Sequence, residues 1–379
     1  MVLQRFFLIA IILTALLTFS CRRLPETRVL ISESPVSIDS SLRMRASIQN
    51  KVFYDKIPSA SGLEAVGKYY YVIGDDSPFL YKLDQDFQLV ERLVLSDTAN
   101  FITGRVPKAE KLDLEGMTSF LRNNKHYLLL LGSGSGPMRN SAFLVENAGS
   151  PNSNVVVTVH KLEDLYAQIQ SSGALQNAEL NIEGVAASND KLFLLQRGVG
   201  DGSNILLSYD LDEFFRFLTY NPVEQESADS GLSLSGGAGI GDATENLHVP
   251  TFPAPAIHQF HLPILGDLQA GFSGAFVFDE KLFFTASIEN TADAVNDGEV
   301  LGSYIGYIPL DAIPADDSAI VSVPAAVITR PDGATYIGKV ESLVVLEKSG
   351  GGRRYRIIAV SDDDRGNSEL LEVQLRTRP

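Results

Sequence analysis

The strongest constraint on the fold is a unit that recurs five times along the 379 residues. Each copy starts with a short apolar stretch carrying a carboxylate or small polar residue. It then passes a turn and finishes in a strongly β-forming run closed by Gly, Asp or Ser. The copies cover residues 61–77, 113–135, 181–198, 272–290 and 339–364, and further β-forming runs such as FLYKLD, SAFLVEN, ILLSYDL, YIGYIPL and ELLEVQL follow them. Runs such as YYYVI at 69–73 and LFLL at 192–195 are short, apolar and bounded by turn residues, so they read as strands. Counted from Glu64, successive copies lie 51, 68, 90 and 68 residues apart, which describes a fixed unit with loops of variable length. A sandwich carries no such repetition; an all-β propeller does. The expectation is five blades of three or four strands, with a sixth blade in residues 28–60 or 219–270 as the alternative. The fifth copy reaches Pro379 after three clear strands, so a strand within 42–48 or 51–54 is expected to complete it and close the ring. Residues 162–171 and 212–218 have helical spacing and read as short helices in blade loops, while 221–256, rich in Gly, Ser, Pro and acids, reads as a long loop insertion.

The N-terminus reads differently. Arg5 precedes a run from 6 to 19 without charge, and the only cysteine of the chain, Cys21, follows at once. That is a signal-peptide profile, and the run is shorter than the roughly 20 apolar residues a membrane-spanning helix needs. With Ser20 before the cysteine, the stretch resembles a bacterial lipobox, departing from the usual pattern at Thr18 and Phe19. The expected organisation is a lipoprotein signal peptide at 1–20, a lipidated tether at 21–41 and a single propeller domain at 42–379. Arg22 and Arg23 provide no acidic retention signal, so outer-membrane placement in the cell envelope is expected for a two-membrane host. Without a second cysteine there is no internal disulfide. Losing residues 1–20 removes Arg5 alone and takes the formal net charge from −16 to −17. Such a surface repels phosphate backbones, which argues against nucleic acid and suits cations or neutral ligands. The expected partners are the membrane, through the lipid on Cys21, and a small-molecule or envelope ligand, with the propeller itself a monomer.

In a propeller the start of each first strand and the end of each second strand share one face. That face gathers Glu64, Asp113, Glu115, Glu183 and Glu341 with Asp75, Asp76, Arg197 and Asp362, joined by Ser77, Ser133, Ser135, Glu289, Asn290, Asp363 and Asp364. Carboxylates so packed repel one another unless a cation or protons intervene, which makes the rim a candidate site for a divalent metal such as Ca²⁺ or for acid/base chemistry. The other reading is that the glutamates pair with amides and with Arg105, Lys111, Arg139, Arg197 and Lys339 to hold the blades in register. No residue is singled out as catalytic. The acidic run from Glu289 to Glu299 lacks EF-hand spacing, His258 and His261 point to opposite faces of a strand, and GAGIG at 237–241 lacks the full dinucleotide spacing. Walker, G-x-S-x-G and H-E-x-x-H signatures are absent from the sequence.

DLEGM at 113–117 and NIEGV at 181–185, with SGLEAV at 61–66 and the GDDS that follows, resemble blade starts of the esterase-like phytase propellers. Over most of 55–375 the arrangement is more closely similar to a bacterial lipoprotein family designated domain of unknown function 6929. The resemblance implies a propeller with a polar mouth suited to a metal near Glu64, Glu115, Glu183 and Arg197. Ligand binding is then the first expectation, and metal-dependent phosphoester or ester hydrolysis the alternative.

Overall fold

The computed structural model describes residues 36–37, 42–149, 155–176, 178–198, 203–220, 252–290, 298–314, 320–363 and 365–378. The signal segment, Cys21, most of the tether, most of the 221–256 insertion, residues 291–297 and Asp364 lie outside that set. Among the described residues no helix is long and apolar enough to cross a membrane.

Each sequence copy opens one antiparallel blade. Blade 1 comprises Ala60–Val66, Tyr69–Gly74, Phe79–Leu83 and Leu89–Val94, and blade 2 Leu114–Arg122, Lys125–Gly132, Ser141–Glu146 and Val156–Lys161. Blade 3 comprises Ile182–Ala187, Lys191–Gln196, Asn204–Asp210 and Ala256–His261, extended at its edge by parallel pairing with Ile320–Ser322 and then Val36–Ser37. Blade 4 comprises Gly271–Phe278, Lys281–Asn290, Glu299–Pro309 and Ala325–Thr329. Blade 5 takes Lys339–Ser349, Arg354–Asp362 and Ser368–Arg378 from the C-terminus and Arg43–Tyr54 from the N-terminal side. The first strands touch in order 1-2-3-4-5-1, so the ring is closed with five blades. Both segments proposed for closure belong to one strand, bulged between Ile48 and Asn50, which pairs with the last strand from Arg43↔Arg378 to Tyr54↔Ser368. The regions considered for a sixth blade instead supply the fourth strands of blades 5 and 3.

The packing explains why these strands read as continuous apolar runs. A blade is a single sheet with both faces covered, so alternate side chains are buried against different neighbours. In blade 2, Leu128 and Leu130 pack toward blade 1, whereas Leu129 and Leu131 pack toward blade 3. The hydrophobic clusters accordingly lie between blades, one at each junction, rather than within them. Helices α1, Glu163–Ser171, and α2, Leu211–Thr219, form where the spacing predicts them; Leu165, Tyr166 and Ile169 and then Leu211, Phe214 and Leu218 close the cluster between blades 2 and 3.

One backbone device repeats in every first strand. The register shifts between Ala60 and Gly62, Leu114 and Gly116, Ile182 and Gly184, Phe272 and Gly274, and Val340 and Ser342. Each shift leaves one extra residue: Ser61, Glu115, Glu183, Ser273 and Glu341. A bulge re-aims a side chain and marks a site where pairing is deliberately broken. The glycine after it lets the next blade approach. A Cβ on Gly116 would come 2.2 Å from Val185 Cγ2, and one on Gly274 would come 2.4 Å from the Glu341 carbonyl oxygen.

Candidate functional site

The bulges define the site. Where the extra residue is serine it closes a blade junction: Ser61 Oγ donates to the Leu114 carbonyl, and Ser273 Oγ donates to the Val340 carbonyl at 2.6 Å. Where it is glutamate, the carboxylate borders a cavity of about 310 Å³ at one end of the ring, lined by Glu115, Glu183 and Glu341 from blades 2, 3 and 5, with Ser61 of blade 1 also on its wall. Asp75 and Asp76 from blade 1, Asp113 from blade 2 and Asp362 from blade 5 join them at its wall. The basic side chains on the same wall are Arg105, Lys108, Lys111, Arg139 and Lys339.

Seven of the nine sequence-predicted residues thus border one cavity; Glu64 and Arg197 do not. Glu64 is buried between blades 1 and 2, its carboxylate accepting from the amides of Ala65 and Ser119, each at 2.9 Å. Burial raises its pKa to about 7 against the opposing pull of those amides. It is a junction clamp, because the residue of blade 1 that matches Glu115 in register is Ser61, three positions earlier. Arg197 ties blade 3 to blade 4: it donates to Ser287 Oγ at 3.1 Å and Glu289 Oε1 at 2.8 Å, and lies 3.8 Å from Glu183 Oε2. Glu289 also pairs with Lys339, at 3.5 Å, and Lys339 with Glu341, at 2.8 Å. Lys108 and Asn181 line the cavity without having been singled out in the sequence, Lys108 because it lies in a loop outside the repeats and Asn181 because only the carboxylate of its NIEGV motif was read. The position two before each bulge, occupied by Ser59, Asp113, Asn181, Gly271 and Lys339, would have found Asn181 once the register was known.

The two sides of the cavity differ in how their charges are met. In blades 1 and 2 each aspartate on the cavity wall meets a base. Arg105 pairs with Asp76, Lys111 bridges Asp75 and Asp113, and Arg139 reaches Asp113 Oδ2 at 2.9 Å. Ser133 also donates to Asp113. Burial would raise the pKa of Asp113, but Lys111 and these further donors hold it below the usual carboxylate range. Asp113 has a left-handed φ of 54°, a conformation non-glycine residues adopt at a cost of about 1–3 kcal/mol and which concentrates at functional sites.

Glu115 is the exception. Among the described residues it has no base of its own, and one of its oxygens shares a group with oxygens of Asp75 and Asp113 in which all lie within 4.8 Å of one another. Burial first, then Glu183, Asp113 and Asp75, holds Glu115 well above the usual range. Burial also raises Glu183, against Arg197 and Lys339, and pushes Glu341 up to about 8. Among the described residues, Asp75 Oδ1, Asp76 Oδ1, Glu183 Oε2 and Glu341 Oε2 are buried without a hydrogen-bond partner. Buried carboxylate oxygens in that state call for a cation, a proton or a donor from a ligand.

A Ca²⁺ ion takes oxygens at about 2.3–2.6 Å, so two of its ligands stand up to roughly 5 Å apart. The spacing of Asp75, Asp113 and Glu115 fits that requirement. The acidic loop at 291–297 lies outside the described residues, and Glu289 before it is engaged with Arg197 and Lys339. His258 is buried and His261 exposed, in keeping with opposite faces of their strand.

Among solved structures the chain is similar to glutaminyl cyclase of Myxococcus xanthus, with 14% identity, a TM-score of 0.41, and coverage of 91% of this chain and 100% of that one. It is also similar to an exo-1,5-α-L-arabinanase from a bovine ruminal metagenomic library, at 10% identity, TM-score 0.40, and 84% and 92% coverage. Virginiamycin B lyase of Staphylococcus aureus stands at 7% identity, TM-score 0.34, and 87% and 99% coverage. None of these likenesses bears on the chemistry of the cavity. No curated protein matches the chain. The model of a family of unknown function, DUF6929, matches residues 56–375, and the chain belongs to that family.

Proposed function

We propose that this protein is a cell-envelope lipoprotein whose propeller binds a divalent cation, Ca²⁺ by the chemistry of its oxygens, together with a small polar ligand at the mouth of the ring. One observation carries the reading: three carboxylates, from the end of a blade 1 strand and the start of blade 2, converge within 4.8 Å on the wall of a polar cavity. Asp75, Asp113 and Glu115 would hold the ion, water would complete its shell, and the remaining wall would contact the ligand. The anchor is Cys21, with placement in the outer membrane, and the strongly acidic chain has no use for nucleic acid.

Of the three, Glu115 is the one held above the usual carboxylate range, and binding a cation to it releases its proton, so affinity should rise with pH. Calorimetric titration with CaCl₂ of protein lacking residues 1–21, alongside thermal unfolding with and without the ion, tests the proposal. A saturable heat and a raised Tm are expected; neither heat nor shift would remove the cation. The second reading is metal-dependent hydrolysis of phosphoesters or related esters, in line with the phytase resemblance. It is favoured by the five basic side chains bordering the same cavity as the carboxylates. Calcium-dependent turnover of a phosphoester would establish it, and binding without turnover would leave the protein a binder.

A further inference from the structure

Lys111 reaches into the three-carboxylate group. Its ammonium bridges Asp75 Oδ2 and Asp113 Oδ1, the latter at 2.7 Å, and the side chain is only 14% exposed. Those two residues, with Glu115, make up the three-carboxylate group. Burial opposes the charge on Lys111, but Asp75, Asp113 and Glu115 together keep it protonated. With the ammonium in place, little is left for a metal. Asp113 Oδ2 is already taken by Ser133, Ser135 and Arg139, which leaves Asp75 Oδ1 and Glu115 as the available oxygens. Two protein ligands are a poor shell for an ion that takes six to eight oxygens. If the ammonium leaves, Asp75 Oδ2 and Asp113 Oδ1 are freed together.

We propose that Lys111 is a tethered counter-ion that fills the cation site when no metal is bound, so that a divalent cation enters only by displacing it. This rests on the cation reading above. The displacement needs no movement of the backbone, because Lys111 carries its charge on a flexible four-carbon stem. Its neighbour on the same loop, Arg105, stays on Asp76 and keeps the loop closed. The unpartnered Oδ1 of Asp76, itself 2% exposed and on the same wall, marks the space beside the ion as one that expects a further donor. Lys111 thereby sets the affinity of the site. It also selects for charge, since a monovalent ion gains nothing over the ammonium it replaces.

The test uses protein lacking residues 1–21 at pH 8. Calorimetric titration with CaCl₂ should give at least a tenfold tighter Kd for Lys111→Met than for wild type, because the internal competitor is gone. Without calcium, Lys111→Met should melt lower than wild type, the facing carboxylates being uncompensated, and calcium should restore it. Should the variant fold poorly, the wild type supplies the answer through reductive methylation read by mass spectrometry. Lys111 should be protected without calcium and become at least fivefold more reactive when calcium saturates the site. Equal or weaker calcium binding by Lys111→Met, or unchanged Lys111 reactivity with calcium bound, would overturn the proposal while leaving the cation site standing. Absence of calcium binding in both proteins would overturn the cation reading and this proposal with it.

Discussion

Replacing Arg197 by methionine separates a junction clamp from a binding residue. The side chain is 6% exposed, and its guanidinium reaches Glu289 Oε1, Ser287 Oγ and the side of Glu183. Removing one partner of a buried ion pair leaves an uncompensated charge and costs about 3–5 kcal/mol. Unfolding entropy of about 2.1 cal/mol/K per residue, over roughly 340 residues, gives about 0.7 kcal/mol per degree. Arg197→Met should therefore lower Tm by about 4–7 °C in a calorimetric scan. Because Arg197 is not on the cavity wall, calcium affinity at Asp75, Asp113 and Glu115 should change by less than about threefold. Adding Glu289→Gln should recover part of the loss, since it removes the carboxylate that Arg197 had compensated. An unchanged Tm together with lost calcium binding would refute the clamp assignment and return Arg197 to the site.

Two further outcomes follow from the same charges and from the anchor. Glu64 and Glu341 have pKa values raised to about 7 and about 8, from 4.5, so the folded state holds more protons than the unfolded one in between. Their contribution to stability is fully present below about pH 4.5 and is lost as pH rises toward 8, so Tm in metal-free buffer should fall across that window, and Glu341→Gln should flatten the upper part of the decline. A flat profile in wild type would contradict the protonated state of these two residues. At the N-terminus, Cys21→Ser should abolish radiolabelled-lipid incorporation and move the protein from the membrane to the soluble fraction, whereas equal labelling of both proteins would dismiss the anchor.

Much of the fold was legible because a propeller repeats its grammar. The turn residues and apolar runs marked three or four strands per unit, and the incomplete last unit pointed to the N-terminal strand that closes it. The site was harder for a definable reason. The sequence copies were aligned on carboxylates, which placed Glu64 with Glu115, whereas the backbone is aligned on the bulge, which places Ser61 with Glu115. The cue was the small residue after the bulge: Gly62, Gly116, Gly184 and Gly274 mark the register, and only blade 5 carries Ser342 there. Neither the direction of Arg197 at a strand end nor the return of Lys111 from its loop into the carboxylates can be read from spacing, because both depend on which neighbouring blade the side chain meets. The capture of Asp75 and Asp113 by one lysine was written in the sequence only as a lysine two residues before an aspartate.

On the cation reading, Glu115 and not the clamps around it makes the cavity a cation site. Calcium titration of Glu115→Gln beside wild type, both lacking residues 1–21 and both at pH 8, addresses it most directly. Among the described residues Glu115 has no base to strand, so the substitution should leave Tm within about 2 °C of wild type or raise it, while weakening calcium binding at least tenfold. Equal calcium affinity in the two proteins, or a Tm loss as large as that expected of Arg197→Met, would contradict the claim.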